Sequence, residues 1–285
     1  MELIRNYMND PERRRMLNDL TQRTFYFNFE DWVSGGWLSG DYIPYSLVEN
    51  GRLLANASAN IMTFDQNGER RNYIQIGTVM TDEEYRGRGL ARQLVGRILD
   101  DYSGRDGVYL FGNMSALGFY RKLGFGELNQ RRYSVKPEYC VKNATGGFAP
   151  APIGLLQEYV RAVRNSAVNS SLEQVNKFGL QMFYTADMSE VFYAQDIGCF
   201  AVMERSGGAV ELKSIISTRR VPLNEVIRRI AADSITLGFS PLPDDMHLCS
   251  SGTYDGADDY RLFFKGEKLR EIETQGLYFP ELSHA

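Results

Sequence analysis

The chain has 285 residues, of which 43% are hydrophobic, 24% charged and 12% aromatic. That is the composition of folded domains rather than of a disordered segment, and the length suits about two domains. The formal net charge is −4, and residues 1–140 carry 18 basic and 18 acidic side chains, so the excess acid sits in the second half. This leaves no basic field for a nucleic acid backbone.

Three widely spaced cysteines, Cys140, Cys199 and Cys249, suit reduced thiols in a cytoplasmic protein better than a disulfide framework. No apolar run resembles a signal peptide or spans a bilayer, so no membrane partner is expected. The triplet Asn143-Ala144-Thr145 is then a chance match to the glycosylation pattern.

Asp10-Pro11-Glu12 predicts a helix start. Asp10 can accept from orphan N–H groups, Pro11 suits the first turn, and Glu12 favours the positive helix end. Met16, Leu17 and Leu20 mark its apolar face. An aromatic stretch from Phe25 to Tyr45 follows, with Trp32, Trp37 and Tyr42 inside it. Asn50-Gly51 and Asn67-Gly68 then predict two tight hairpins joining three antiparallel strands, because this dipeptide tolerates positive φ. Leu90, Leu94, Ile98 and Tyr102 predict a helix with one buried stripe. GVYLFGN reads as a strand, SALGFYRKLGF as a short helix stopped by Gly124, and RRYSVKP as the last strand of the unit.

Residues 140–152 are rich in small residues, Gly and Pro and predict a linker. This divides the chain into domains at 1–139 and 153–285. Beyond it, Ile153–Val168 is predicted helical, Ser206-Gly207-Gly208 a hairpin turn, VPLNEVIRRIAADS a helix and SITLGFSPL a strand. Hairpin, helix, strand repeats the order of residues 45–112, an internal duplication in which the residues barely match.

The segment with chemical content is VMTDEEYRGRGLARQLVGRILDD, residues 79–101. A strand ends near Thr81 and a helix begins around Gly89. Gly87 and Gly89 bare main-chain N–H groups at a helix N-terminus, where about half a positive charge accumulates. Arg86 and Arg88 add forked donors. The turn is not a P-loop, which needs Gly-Lys-Ser/Thr, and the dinucleotide fingerprint fails at Arg92.

Arg86-Gly87-Arg88-Gly89-Leu90-Ala91 resembles the Arg/Gln-x-x-Gly-x-Gly/Ala signature of the GNAT superfamily, the GCN5-related N-acetyltransferases. A second block, Asn113-x-x-Ala116-x-x-Phe119-Tyr120-Arg121-Lys122-Leu123-Gly124-Phe125, is similar to that family's β5–α4 pattern. The two blocks and their strands cover most of residues 1–137. The resemblance implies an α/β fold with a mixed sheet, the GNAT acyl-CoA N-acyltransferase fold, in tandem with a degenerate second GNAT-like domain. It also implies acetyl-CoA as cofactor and a small-molecule amine as acceptor. Backbone groups of Val79 and Thr81 would pair with the pantetheine arm, and amides of Arg86, Gly87, Arg88, Gly89, Leu90 and Ala91 would hold the pyrophosphate. Asn113 would bond the cofactor, and Tyr120 would sit by its sulfur and stabilise the leaving thiolate.

Plainer readings stand beside these. Tyr120 fits an apolar face with Ala116, Phe119 and Leu123, and Asn113 fits a helix cap. Many relatives carry a glutamate on the strand before the turn, but Ile74 to Thr78 holds no acid. Asp82, Glu83, Glu84, Glu30 and Asp31 are the weaker candidates for a base, as is Ala285, since in Eis-like aminoglycoside acetyltransferases the terminal carboxylate lies at the active site. His247 and His284 lack companions for a metal. In the second half the matching turn reads Ser217-Thr-Arg-Arg-Val-Pro222-Leu-Asn, without a glycine pair and with one donor removed by Pro222. That half would bind no cofactor and instead shape the acceptor cleft or an oligomer interface. The alternative to an enzyme is a non-catalytic module that binds coenzyme A.

Overall fold

The computed structural model describes residues 1–144 and 146–285. The first half runs β1 (Glu2–Arg5), α1 (Pro11–Phe25), α2 (Glu30–Ser34), β2 (Tyr42–Glu49), β3 (Arg52–Gln66), β4 (Glu69–Thr81), α3 (Leu90–Asp101), β5 (Gly107–Asn113), α4 (Leu117–Lys122), β6 (Gly126–Leu128) and β7 (Gln130–Val135). The second half runs β8 (Ala149–Pro150), α5 (Leu156–Arg164), β9 (Leu172–Gln174), α6 (Phe178–Thr185), β10 (Val191–Ala194), β11 (Cys199–Ser206) and β12 (Ala209–Ile216). It ends with α7 (Leu223–Ile227), β13 (Ser234–Leu237), β14 (Cys249–Tyr254), β15 (Tyr260–Lys265) and α8 (Arg270–Thr274).

The local signals act where the sequence places them. Asp10 caps α1 by accepting from the N–H groups of Glu12 and Arg13. Both Asn-Gly turns have positive φ at each residue, 51° and 75° at Asn50-Gly51, 51° and 86° at Asn67-Gly68. Gly124 takes the left-handed position after α4, and the Phe125 N–H donates to the Tyr120 carbonyl. Two predicted helices are shorter than their patterns: α5 stops at Arg164 and α7 at Ile227.

The strands form two mixed sheets. The first has the order β1-β2-β3-β4-β5-β15-β6, with β9 paired to β3, and the second β14-β7-β13-β12-β11-β10-β8. RRYSVKP is therefore not the last strand of the first sheet, because β7 lies between β14 and β13 in the second. In exchange β15, from near the end of the sequence, fills the place between β5 and β6. The chain changes sheets at Asn129, visits the first sheet again at β9 and crosses back between β14 and β15, so sheet membership does not follow a boundary at 139. Burial drives the exchange: Leu262, Phe263 and Phe264 of β15 are all buried, and an apolar strand there covers the edge of β5 that faces away from β4.

The segment 140–152 is likewise more than a tether. Val141 bridges to Ala231, Ala149–Pro150 pairs with β10, and Phe148 and Ala151 are buried. Thr145 of that segment, and with it the end of the Asn-Ala-Thr triplet, lies outside the described residues.

Within the second sheet β11 and β12 form an antiparallel hairpin, α7 follows, and β13 returns parallel to β12. That is the connectivity of β3, β4, α3 and β5 in the first. The three cysteines are free thiols, and burial pushes that of Cys199 up to about 12. Among the described residues no helix is long and apolar enough to cross a membrane.

Candidate active site

β4 and β5 run parallel and pair only at Tyr73–Gly107, Ile74–Val108 and Gln75–Tyr109. Beyond these positions β4 continues to Thr81 and β5 to Asn113 without pairing, so the first sheet splits into a V. A β-bulge at the same level bends β4 away. The β3–β4 register shifts between Asn56 and Ser58, and Thr78 opposite the shift has a φ of 42°. Such a φ is costly for a β-branched residue and is held by partners: Asn56 donates to the Thr78 carbonyl, and the Thr78 hydroxyl meets those of Tyr42 (2.8 Å) and Ser58 (2.5 Å). Val79 sits at this bulge, half-buried, and Thr81 pairs with Ala55.

At the wide end of the V stands the glycine turn. Gly87 and Gly89 have φ of 75° and 78°, and a Cβ at either would meet open space, so a ligand can approach the backbone closely. Gly89 is the N-cap of α3 and offers no side-chain acceptor to the helix end. Among the described residues the N–H groups of Gly87 through Ala91 make no backbone hydrogen bond. The Arg86 N–H differs from the expectation, because it donates to the Glu83 carbonyl at 3.3 Å. Its side chain bonds the Thr81 carbonyl and pairs with Glu83, while Arg88 lies 4.7 Å from the Tyr85 ring centroid. An open row of donors beside two exposed arginines suits a diphosphate.

Asp82 braces this turn and is not free to act as a base. It is buried, its N–H donates to the Leu54 carbonyl, and its carboxylate accepts from Arg52 at 2.8 Å and Arg23 at 3.1 Å. Burial pushes its carboxyl up, but hydrogen bonds from Arg52, the Glu84 N–H and Arg23 outweigh it and hold it below the usual carboxylate range. A depressed acid contributes stability that is present above its unfolded value, about 3.9, and is lost as pH falls through the folded value. Asp82→Asn is therefore expected to lose about 1–3 kcal/mol in urea unfolding at pH 7. The difference from the parent should shrink as pH falls below about 4; a pH-independent difference would mean the carboxylate charge plays no part.

Glu83 and Glu84 are exposed, Glu30 is engaged by Arg14 and Asn18, and Asp31 is exposed; none of these candidate bases lines the cavity described below.

Tyr120 projects from α4 onto β5. Gly112 makes the room: a Cβ there would lie 2.9 Å from two ring carbons of Tyr120. The hydroxyl has no hydrogen-bond partner among the described residues, and burial pushes its pKa up to about 12. Tyr120 is thus both a packing residue and a free donor. Gly112→Ala should crowd the ring and lower stability in urea unfolding by about 1–3 kcal/mol of overpacking. Unchanged stability would show that the ring can move aside freely. Asn113 ends β5, exposed, with its side-chain oxygen accepting from Ser115 at 2.9 Å and making no cap bond to the following turn.

Across the sheet from α3 and α4 lies a largely apolar cavity of about 230 Å³. Trp32 and Tyr42 of the aromatic stretch line it, whereas Trp37 and Tyr45 pack elsewhere. Phe25, Phe27 and Phe29 of the same stretch line it too, and sequence reasoning missed the others. Asp41 is a lining carboxylate, and Gln174, Asn176, Leu180, Phe183 and Tyr184 come from the second half. The aromatic composition of α6, FGLQMFYT, was the available signal. The Trp32 indole N–H donates to the Gly179 carbonyl at 2.7 Å and joins the halves at this wall.

Ala285 also lines the cavity and reaches the V. Its carbonyl would lie 2.6 Å from a Cβ at Gly77, so only glycine permits the approach, and Gln75 donates to it at 3.5 Å. Tyr184 donates to the His284 carbonyl. His284 stacks on Phe111 at 3.8 Å, and burial holds its imidazole below the ordinary value. Among the described residues no three His, Cys, Asp or Glu side chains gather as a metal site.

The profile of the acetyltransferase (GNAT) family matches residues 4–125, the stretch that holds the turn, the V and Tyr120. Over those residues the chain is similar to that family. An uncharacterized protein of Mycobacterium leprae is 35% identical over 68 residues, which are 23% of this chain and 17% of that protein. The fold of the whole chain is that of larger solved relatives. A GCN5-related N-acetyltransferase from Kribbella flavida superposes with a TM-score of 0.56 at 18% identity, over 94% of this chain and 73% of that one. Eis1 from Mycobacterium abscessus gives 0.54 at 16% identity, over 88% and 70%. The second half of this chain, which the GNAT profile does not match, is part of the same fold and closes one wall of the cavity.

Proposed function

We propose that this chain is an N-acetyltransferase that moves an acetyl group from acetyl-CoA to a primary amine by direct attack in a ternary complex. The observation that carries this reading is the V between β4 and β5, with open donors at its mouth and an aromatic cavity on its far face. Bound acetyl-CoA would supply a thioester whose acetyl carbon accepts the amine nitrogen as the carbon–sulfur bond breaks.

The donors of Gly87 to Ala91, with the side chains of Arg86 and Arg88, would hold the diphosphate. The unpaired edge of β4 around Val79 and Thr81 would orient the pantetheine arm, with Asn113 on the facing strand. Tyr120 would donate a hydrogen bond toward the departing sulfur. A phenol raised by burial is a poor proton donor but keeps its proton at working pH, so it serves as a fixed dipole. The acceptor must shed its ammonium proton before attack. In a chain whose carboxyl group is free at Ala285, that carboxylate stands beside Gly77 and Gln75, where it can take the proton directly or through water.

The test is thiol release from acetyl-CoA by purified protein with and without a panel of amines. Amine-dependent release that rises with pH supports acetyl transfer. Tight coenzyme A binding with no release on any amine supports the non-catalytic module instead.

A further inference from the structure

The cavity beside Thr78 carries a statement about the acceptor, which rests on the transferase reading above. Its walls are aromatic. Phe27 and Phe183 meet edge to face at 5.6 Å, Phe29 lies 4.9 Å from Tyr42, and Trp32 lies 5.6 Å from Phe183. Among the described residues that line it there is no Lys, Arg or His, and Asp41 is the one acidic side chain. That carboxylate accepts from the Ser39 hydroxyl at 2.8 Å and, among the described residues, pairs with no Lys or Arg. The inner end of the cavity touches the bulge, since Tyr42 and Thr78 share a hydrogen bond there.

We infer that the acceptor is a compact arylalkylamine: one ammonium group on an apolar body the size of a single ring with a short tether, and no carboxylate. Size sets the body, because an apolar cavity of about 150 Å³ takes up benzene, and about 230 Å³ leaves room for a ring and two or three more carbons. Rings lining the wall favour both an apolar body and a cation over their faces. Asp41 matches one ammonium, a free Ala285 carboxylate being the group that takes its proton, whereas a polyamine or an aminoglycoside would bring several charges to a mostly apolar wall. A free amino acid would bury its carboxylate where no basic side chain answers it. Asp41 is a specificity residue here. It holds the cation on arrival; the ammonium proton passes to the Ala285 carboxylate or to water, the nitrogen lone pair then forms the new C–N bond as the C–S bond breaks, and the sulfur leaves as the thiol with the second proton shed by the nitrogen.

The test compares 2-phenylethylamine, L-phenylalanine, spermidine and kanamycin as acceptors for the full chain. We expect kcat/KM for 2-phenylethylamine to exceed that for L-phenylalanine by about 100-fold and those for the two polycations by at least tenfold. Asp41→Asn should raise KM for the arylalkylamine about tenfold with kcat changed less than threefold. Calorimetry of 2-phenylethylamine into the coenzyme A-loaded protein reads the cavity without catalysis: saturable binding weakened by Asp41→Asn and by Phe183→Ala supports the assignment, and no saturable binding overturns it. Turnover on kanamycin or spermidine in preference to 2-phenylethylamine overturns the acceptor class and leaves acetyl transfer standing. Absence of thiol release with every amine overturns acetyl transfer, and the calorimetric result then decides the cavity alone.

Discussion

Replacing Gly89 with valine is expected to weaken coenzyme A binding by a factor of about 10²–10³ while the chain stays folded. Gly89 holds a φ of 78° at the N-cap of α3. A residue with a Cβ pays about 1–2 kcal/mol in that region, and a β-branched one has no comfortable alternative. The turn would relax by rotating its N–H groups away from the diphosphate. Two charge-assisted hydrogen bonds, at about 1.5–3 kcal/mol each, account for the loss. The fold should tolerate the change, because Leu90, Leu94, Val95 and Ile98 anchor α3 through its buried stripe, at about 1.5–3 kcal/mol per side chain. Calorimetry with coenzyme A reads the affinity, and thermal unfolding without ligand reads the fold. An unchanged Kd in a folded variant would remove the turn from the binding site.

Tyr120→Phe should act on the other quantity. Removing one positioned donor to a developing negative charge typically costs about 10²–10³ in rate, so kcat should fall by that order while coenzyme A affinity stays within a few-fold. Phenylalanine keeps the ring that packs on Gly112 and Phe263, so thermal stability should hardly move. The pH profile adds a check with a definite sign. Burial raises the Tyr120 phenol to about 12, so the hydroxyl stays protonated through pH 10 and produces no alkaline decline in rate. The rising limb, from deprotonation of the amine, should therefore persist in both proteins. A variant with full kcat on a verified acceptor would make Tyr120 a packing residue and nothing more.

On the proposed reading, the aromatic wall gives a half without a phosphate turn its place in this molecule. Phe183, Tyr184, Leu180 and Ala285 close a cavity that the first half leaves open. The exchange of β7 and β15 ties the two sheets together along two passes of the chain, which fixes the wall against the V. Asp82 shows the same economy on the other face: an acid that the sequence offers as a base is spent on bracing the turn through Arg23 and Arg52.

The amino-acid sequence alone determined the features that act within a few residues. The Asn-Gly hairpins, the Asp10 cap, the Gly87–Gly89 turn, the α3 stripe and the Gly124 stop each follow from allowed φ, a missing side chain or a 3.6-residue period. The Tyr120 block was legible through its resemblance to the GNAT β5–α4 pattern. Tertiary structure alone decided which sheet RRYSVKP joins, what fills the edge of β5, where the V opens, and which side chains line the acceptor cavity. Those outcomes depend on contacts across more than 100 residues, such as Leu262 with Phe111 and Trp32 with Gly179. No local propensity encodes such pairs; they are chosen by which arrangement of the whole chain buries the most apolar surface and leaves the fewest strand edges open.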